Sequence, residues 1–210
     1  MVEKKLDFKE LAETRRSVNF FDPTKPLSDE LLKDIIDLAV LAPSAFNAQP
    51  WQVLAVKSKE KRQEVHDKAC NQPKVLDAPV LLAILGDTTG FKRPNPIWDE
   101  KVRLGNASAA DVENIVNFSE NVLFPTELRQ VAFAASNSSL LAMSIMYAAK
   151  YYGVEAHPMI GFDESKIKEI FNIPDHVIVT MLICLGYFDE TKTLRPRETR
   201  FTYEKIVKSF

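Results

Sequence analysis

Two short tracts hold the residues best suited to chemistry in this chain of 210 residues. The first is Arg15-Arg16-Ser17-Val18-Asn19-Phe20-Phe21. Adjacent guanidinium groups followed by a hydroxyl, just after a short helical stretch, offer a phosphate forked donors and one short donor. An arginine pair at a helix end is also an ordinary solvated cap, and the tract alone does not choose between the two. The second tract is Ala42-Pro43-Ser44-Ala45-Phe46-Asn47-Ala48-Gln49-Pro50-Trp51. Its two prolines stiffen a loop bearing Ser, Asn and Gln. Such a loop either presents amide and backbone groups to a flat polar ring or is a rigid turn.

Other catalytic signatures are missing. The sequence has no glycine-rich dinucleotide fingerprint, no phosphate loop and no nucleophile elbow. His66, His157 and His176 lack metal-ligand spacing, so no metal site is expected. His66 lies on a charged face and reads as solvated surface; His157, just before Pro158, reads as structural. Cys70 and Cys184 are too few for a disulfide scaffold, and Cys184 sits in an apolar run as a small buried hydrophobe. Nothing favours a Cys–His nucleophile pair.

Elements must position these tracts. Ser28 reads as the N-cap of a helix that Pro43 ends, with Leu31, Ile35, Leu38 and Ala39 on one face. Trp51 to Val56 reads as a strand with Trp51, Val53 and Ala55 sharing a face, and Lys59 to Ala69 as a surface helix. Ala78 to Leu85 and Val177 to Leu185 read as strands buried on both faces, with strand 154–160 and helix 163–171 between them in space or sequence. The stretch from Thr88 to Phe124 is polar and proline-interrupted, an excursion or lid with at least one helix near 108–118. A long helix follows from about Thr126 to Tyr152, closed by Gly153. Strands without polar alternation need helices on both faces, which implies a three-layer sandwich.

Composition narrows the partners. Lys plus Arg is 27 and Asp plus Glu is 29, too balanced for a nucleic-acid or anionic-membrane partner. From Gln130 to Ala149 no charge occurs, a stretch long enough to cross a bilayer. Its Ala- and Ser-rich composition instead predicts a helix covered by protein on every side, part of that cover coming from a second subunit. Ala135 and Ala142 are expected in that contact. The N-terminus, Met1 to Asp7, has no apolar segment of the secretory kind, so the expected location is cytoplasmic.

In order along the chain, five segments resemble the FMN-dependent nitroreductase family. They are Arg15-Arg16-Ser17, the Pro43-Ser44…Asn47-x-Gln49-Pro50-Trp51 loop, Asn71-x-x-Lys74-x-Leu76-x-Ala78-Pro79, Pro158-Met159-Ile160-Gly161-Phe162, and the charged tail with Arg195 and Arg197. The resemblance implies an α+β fold, a nitroreductase-like α-β-α sandwich around a mainly antiparallel four-stranded sheet. It implies one domain over 1–210 and a domain-crossed homodimer whose tail, from about 189 to 210, reaches onto the partner.

The resemblance also implies bound FMN, with NAD(P)H as a transient electron donor. Arg15, Ser17, Arg195 and Arg197 fall at positions that hold the FMN phosphate. Arg16 and Asn19 belong to the flavin-edge segment, where relatives often carry a basic residue in place of Asn19. Asn71 and Lys74 fall near the pyrimidine edge, with Lys74 tuning the flavin. Pro43, Ser44, Ala45 and Asn47 fall in the loop covering the flavin from the other subunit, supported by Gln49. Ile160 and Gly161 fall at the backbone segment beside the reactive nitrogen. No side chain need serve as acid or base. The implied activity is ping-pong reduction of nitroaromatic or quinone-type acceptors. Reductive dehalogenation, flavin fragmentation and a non-catalytic flavin-binding protein are the alternatives.

Overall fold

The computed structural model describes residues 7–210; the leader reading over Met1–Leu6 lies outside them. Strands β1 (Trp51–Val56), β2 (Val80–Asp87), β3 (Glu155–Met159) and β4 (Val177–Gly186) form one sheet in the order β1-β2-β4-β3, and every pair is antiparallel. The central strands β2 and β4 are buried on both faces, which is why their sequences are apolar without alternation. On one face, α2 (Asp29–Ala39) and α7 (Glu127–Tyr151) pack on Leu82, Ile84, Ile183 and Leu185. On the other, α3 (Lys59–Lys68), α4 (Lys74–Asp77) and α8 (Glu164–Phe171) cover Leu81, Ala83, Leu182 and Cys184. The chain is therefore the three-layer sandwich that its apolar runs imply, and the all-antiparallel sheet makes it α+β, as the family resemblance implies.

Several boundaries follow from caps. Ser28 accepts the Leu31 N–H at 3.1 Å, opening α2 as expected. That helix stops at Ala39, before Pro43, and the chain turns through Val40 and Leu41. Gly153, at φ +74°, supplies the left-handed turn after α7. In β1 only Trp51 and Val53 pack toward α2 and α7, and Ala55 is exposed. Leu54 and Val56 pack on the opposite face, because an edge strand in a three-layer fold is covered from both sides.

The excursion holds more structure than its sequence suggests. α5 (Pro96–Arg103) begins where Asn95 accepts the Ile97 N–H at 3.0 Å, with Pro96 in the first turn. α6 (Ala109–Phe118) opens on a Ser108–Asp111 capping box and runs into a π-helical turn, Ser119–Leu123. Trp98, Val112 and Val116 give it a small core of its own.

α7 explains its composition. Its small residues let it lie close on the sheet: a Cβ on Gly86 would stand 2.9 Å from Ala134 O, and Ser138 Oγ is 2.6 Å from Thr180 Oγ1. α7 has the length and apolar character of a membrane span, yet half of its most apolar stretch is buried within the chain. Ala142 faces the chain's own core, so it is not a candidate for the subunit contact, and Ala135 is partly covered. The open stripe is instead Leu128, Ala132, Ser136 and Leu140, spaced four apart and uncharged. Leu128 is 78% exposed and Leu140 46%.

After Asp189 the chain has little regular structure apart from α9 (Tyr203–Ile206), and Phe201, Tyr203, Ile206 and Phe210 are exposed.

Candidate functional site

The first tract ends α1 (Phe8–Thr14) and crosses the free edge of β3. An Asp7–Glu10 capping box starts that helix, and Arg15 follows as its C-cap. Ser17 forms a parallel bridge with Ala156, and the Val18 N–H donates to Ala156 O at 3.1 Å. The C-terminal tail folds back over this segment. Arg16 donates to Arg195 O at 2.6 Å, and Arg197 donates to Glu13 O at 2.7 Å and Arg15 O at 2.6 Å.

The result is a cavity of about 270 Å³ lined by Arg15, Arg16, Ser17, Asn19, Arg195, Arg197 and Arg200, with Glu198 its lone carboxylate. Among the described residues, none of these five arginines forms an ion pair with a carboxylate. Burial pulls the Arg15 guanidinium below its usual value; Tyr147 opposes this, and Arg197 and Arg200 add to it. Clustered guanidinium groups that no carboxylate pairs directly are suited to a multivalent anion.

Next to this pocket, still along β3, lies a second group. Lys74 opens α4 and donates to Gln72 Oε1 at 2.7 Å. The 69–71 turn and the segment after β3 are tied together: the Asp163 N–H donates to Ala69 O at 2.8 Å, and the Cys70 thiol lies 3.7 Å from Gly161 O. Asn71, Ile160 and Gly161 are exposed beside this junction, and a Cβ at Gly161 would meet nothing within 4 Å. Burial pushes the Cys70 thiol up, with Lys74 opposing, so it is a protonated neighbour and no nucleophile.

His157 joins the two groups. Its Nδ1 is 3.0 Å from Val18 O. Burial drives its pKa down to about 4, Lys74 pushes the same way, and the Val18 carbonyl opposes. An unfolded His titrates near ~6.5, so between that pH and about 4 the unfolded chain binds more protons than the folded one. Folding stability is therefore expected to fall as pH drops through this window. Urea unfolding at several pH values checks it, and His157→Asn should flatten this part of the profile. His66 is half-buried rather than fully solvated, with Nδ1 2.7 Å from Asp67 Oδ1.

The second tract is rigid by construction. Phe46, Asn47 and Gln49 all have left-handed φ, at 57°, 57° and 48°. Such strain persists only where surroundings over-determine the backbone. Here Ser44 Oγ accepts the Gln49 N–H at 3.0 Å, Asn137 Oδ1 accepts the Ala45 N–H at 2.8 Å, and Asn95 donates to Ala48 O at 2.8 Å. Pro43 and Asn47 are exposed at the loop surface.

The loop anchors on α7 at Asn137, whereas the arginine pocket lies near Tyr147, whose phenol acts on Arg15 and whose ring stands 5.5 Å from Phe8. Ten residues of helix separate those anchors, about 15 Å along the axis. One chain thus holds two separate groups: the pocket with the Lys74 group, and the loop.

Across residues 12–187 the chain matches the model of the nitroreductase family. The chain belongs to the nitroreductase family. It is 34% identical over 208 residues to MhqN of Bacillus subtilis (strain 168), a protein named provisionally as an NAD(P)H nitroreductase, with 97% of each chain covered. Among solved structures, it resembles the nitroreductase-type protein ydfN of Bacillus subtilis at a TM-score of 0.87 and 31% identity, covering 97% of this chain and 98% of that one. A nitroreductase-type protein from Exiguobacterium sibiricum 255-15, solved in complex with FMN, matches at a TM-score of 0.85 and 26% identity over 97% of each chain.

In this nitroreductase-family chain, Arg15, Arg16, Ser17, Asn19, Arg195 and Arg197 come together, with Asn71, Lys74, Ile160 and Gly161 beside them. Pro43, Ser44, Ala45, Asn47 and Gln49 do not join them within one chain. Sequence reasoning missed Arg200, a second-tract anchor in Asn137, and Arg62. The buried Arg62 donates to Leu76 O at 2.7 Å and also to Ala78 O, which fixes the short helix carrying Lys74. An Arg on a charged surface helix gives no sign of such a role; a lone Asn inside the uncharged 130–149 stretch of α7 does.

Proposed function

We propose that this protein is a cytoplasmic, FMN-dependent oxidoreductase that uses NAD(P)H to reduce nitroaromatic or quinone-type acceptors as a homodimer. The observation that carries the reading is the arginine pocket without paired carboxylates, placed against the Lys74 group at the edge of β3. A phosphate monoester carries nearly two negative charges, and such a pocket fits it. The relatives' names and the FMN complex of the Exiguobacterium sibiricum protein support the same reading.

When bound, FMN supplies two-electron redox chemistry that no side chain here provides. Arg15, Ser17, Arg195 and Arg197 hold its phosphate, while Arg16 and Asn19 line the way to the ring. Asn71 hydrogen-bonds the polar edge, and Ile160 with Gly161 presents open backbone to it. Lys74 puts an ammonium where negative charge accumulates on reduction. The Pro43–Asn47 loop of a second subunit, stiffened by its strained backbone and supported by Gln49, closes the site. Support for that second subunit comes from the uncharged open stripe on α7 and the uncovered apolar residues of the tail. With no resident dinucleotide fold, donor and acceptor use one opening in turn, which gives ping-pong kinetics.

Lys74→Ala should lower the flavin midpoint potential by about 30 mV for each ~1.4 kcal/mol of lost preference for the reduced form. FMN should stay bound through its phosphate. A spectroelectrochemical titration that returns the wild-type potential would remove Lys74 from this role.

The whole reading is tested by purifying the protein and adding NADH or NADPH anaerobically. A yellow protein that bleaches, then regains colour with a nitroaromatic or quinone, supports it. Yellow protein that never bleaches makes it a flavin-binding protein, and one that cannot take up FMN ends the reading.

A further inference from the structure

β3 is the edge strand of the sheet, and among the described residues the backbone bridge on its free side joins Ser17 to Ala156. In a parallel pairing, one residue gives its N–H to one partner and takes an N–H from the partner two residues on. Val18 follows the first half of this rule by donating to Ala156 O at 3.1 Å. The second half calls for the N–H of residue 158. That residue is proline and has none. Val18 is fully buried, so its carbonyl would be left without a donor in a dry place. His157 Nδ1, at 3.0 Å, fills the gap. A carbonyl oxygen only accepts, so Nδ1 carries the hydrogen and Nε2 the lone pair.

The consequence reaches the cofactor site. Val18 C=O and Asn19 N–H belong to one planar trans peptide, so they point in opposite directions. With the carbonyl held toward β3, the Asn19 N–H faces away from the sheet. Among the described residues that N–H has no hydrogen-bond partner, and Asn19 lines the arginine pocket. Pro158 stops the ladder at this point, which keeps β3 from absorbing the segment as a fifth strand.

We propose that His157 is a positioning residue of the cofactor site: its side chain replaces the backbone donor that Pro158 lacks, fixes the Val18–Asn19 peptide, and leaves the Asn19 N–H free for the cofactor. This rests on the FMN reading above. The depressed titration of His157 agrees with it, since the ring stays neutral with one fixed tautomer at neutral pH.

The test compares FMN dissociation constants, read by flavin fluorescence quenching, with thermal unfolding for wild type, His157→Leu and His157→Asn. Leu removes the donor; the Asn amide nitrogen stands as many bonds from the backbone as Nδ1. Loss of one hydrogen bond to a buried carbonyl should weaken FMN roughly tenfold in His157→Leu, and His157→Asn should restore most of it. Leu binding FMN as wild type does, or Asn binding as poorly as Leu, overturns the proposal. Should His157→Leu fail to fold, nitrogen-15 histidine spectra of the wild type decide: a protonated Nδ1 supports the clamp and a protonated Nε2 overturns it. Wild type that takes up no FMN removes the cofactor reading itself, and this proposal with it.

Discussion

Replacing Arg195 and Arg197 together by Ala is expected to weaken FMN binding by roughly a hundred- to ten-thousandfold while riboflavin binding changes little. Each charge-assisted contact to a phosphate is worth about 1.5–3 kcal/mol, and riboflavin has no phosphate to lose. Arg195 is the cleaner of the two, because its backbone oxygen rather than its guanidinium ties the tail to Arg16. The Arg197 guanidinium also holds the tail against the carbonyls of Glu13 and Arg15, so Arg197→Ala loosens the pocket wall as well. Isothermal titration with both ligands separates these effects. Equal losses for FMN and riboflavin would mean that the two arginines shape the tail and do not meet the phosphate.

A comparable effect is expected at the open stripe of α7. Ser136→Arg or Leu140→Arg places a cation on a face that is solvated in one chain and dry in the proposed dimer. Burying an unpaired charge costs on the order of 3–5 kcal/mol, enough to split a micromolar dimer. The variants should stay folded by circular dichroism, because neither residue is in the chain's own core. FMN binding should fall with dissociation, since the 43–49 loop then leaves the partner's site. Ala142→Arg is the control with the opposite outcome: Ala142 packs in the core between α2, α7 and the sheet, so that variant should unfold. Sedimentation of the wild type as a monomer at micromolar concentration would defeat this reading.

Local chemistry made much of the fold legible. The Ser28 cap, the uninterrupted apolar runs of β2 and β4, the left-handed Gly153 and the long α7, uncharged from Gln130 to Ala149, are each set by residues within one turn or strand of where they act. The two tracts are legible only as candidates: the prolines mark a stiff loop, whereas the arginine pair by itself fits an anion pocket or a solvated helix cap equally well. α5 was hidden because an Asn-Pro start to a helix looks in sequence like one more turn. Ala55 shares the face of Trp51 and Val53 as its spacing implies, but it is exposed, because what covers an edge strand is set by the neighbouring helices.

The sequence by itself determined the family, the layer order and the residue types available to a cofactor. Only the tertiary structure decided which of them meet. Arg195 and Arg197 lie about 180 residues from the tract they join; the Arg16 guanidinium holds the Arg195 carbonyl there, and the carbonyls of Glu13 and Arg15 hold the Arg197 guanidinium. His157 reads as an ordinary strand residue until the chain brings Val18 beside Pro158 and a carbonyl needs a donor. Asn137 becomes the loop's anchor only because folding brings α7 beside Ala45. Propensities and caps act over a few residues, whereas a site is a set of directions in space. Those directions are fixed by packing and by the need to satisfy each buried polar group, and both of these exist only once the chain has folded.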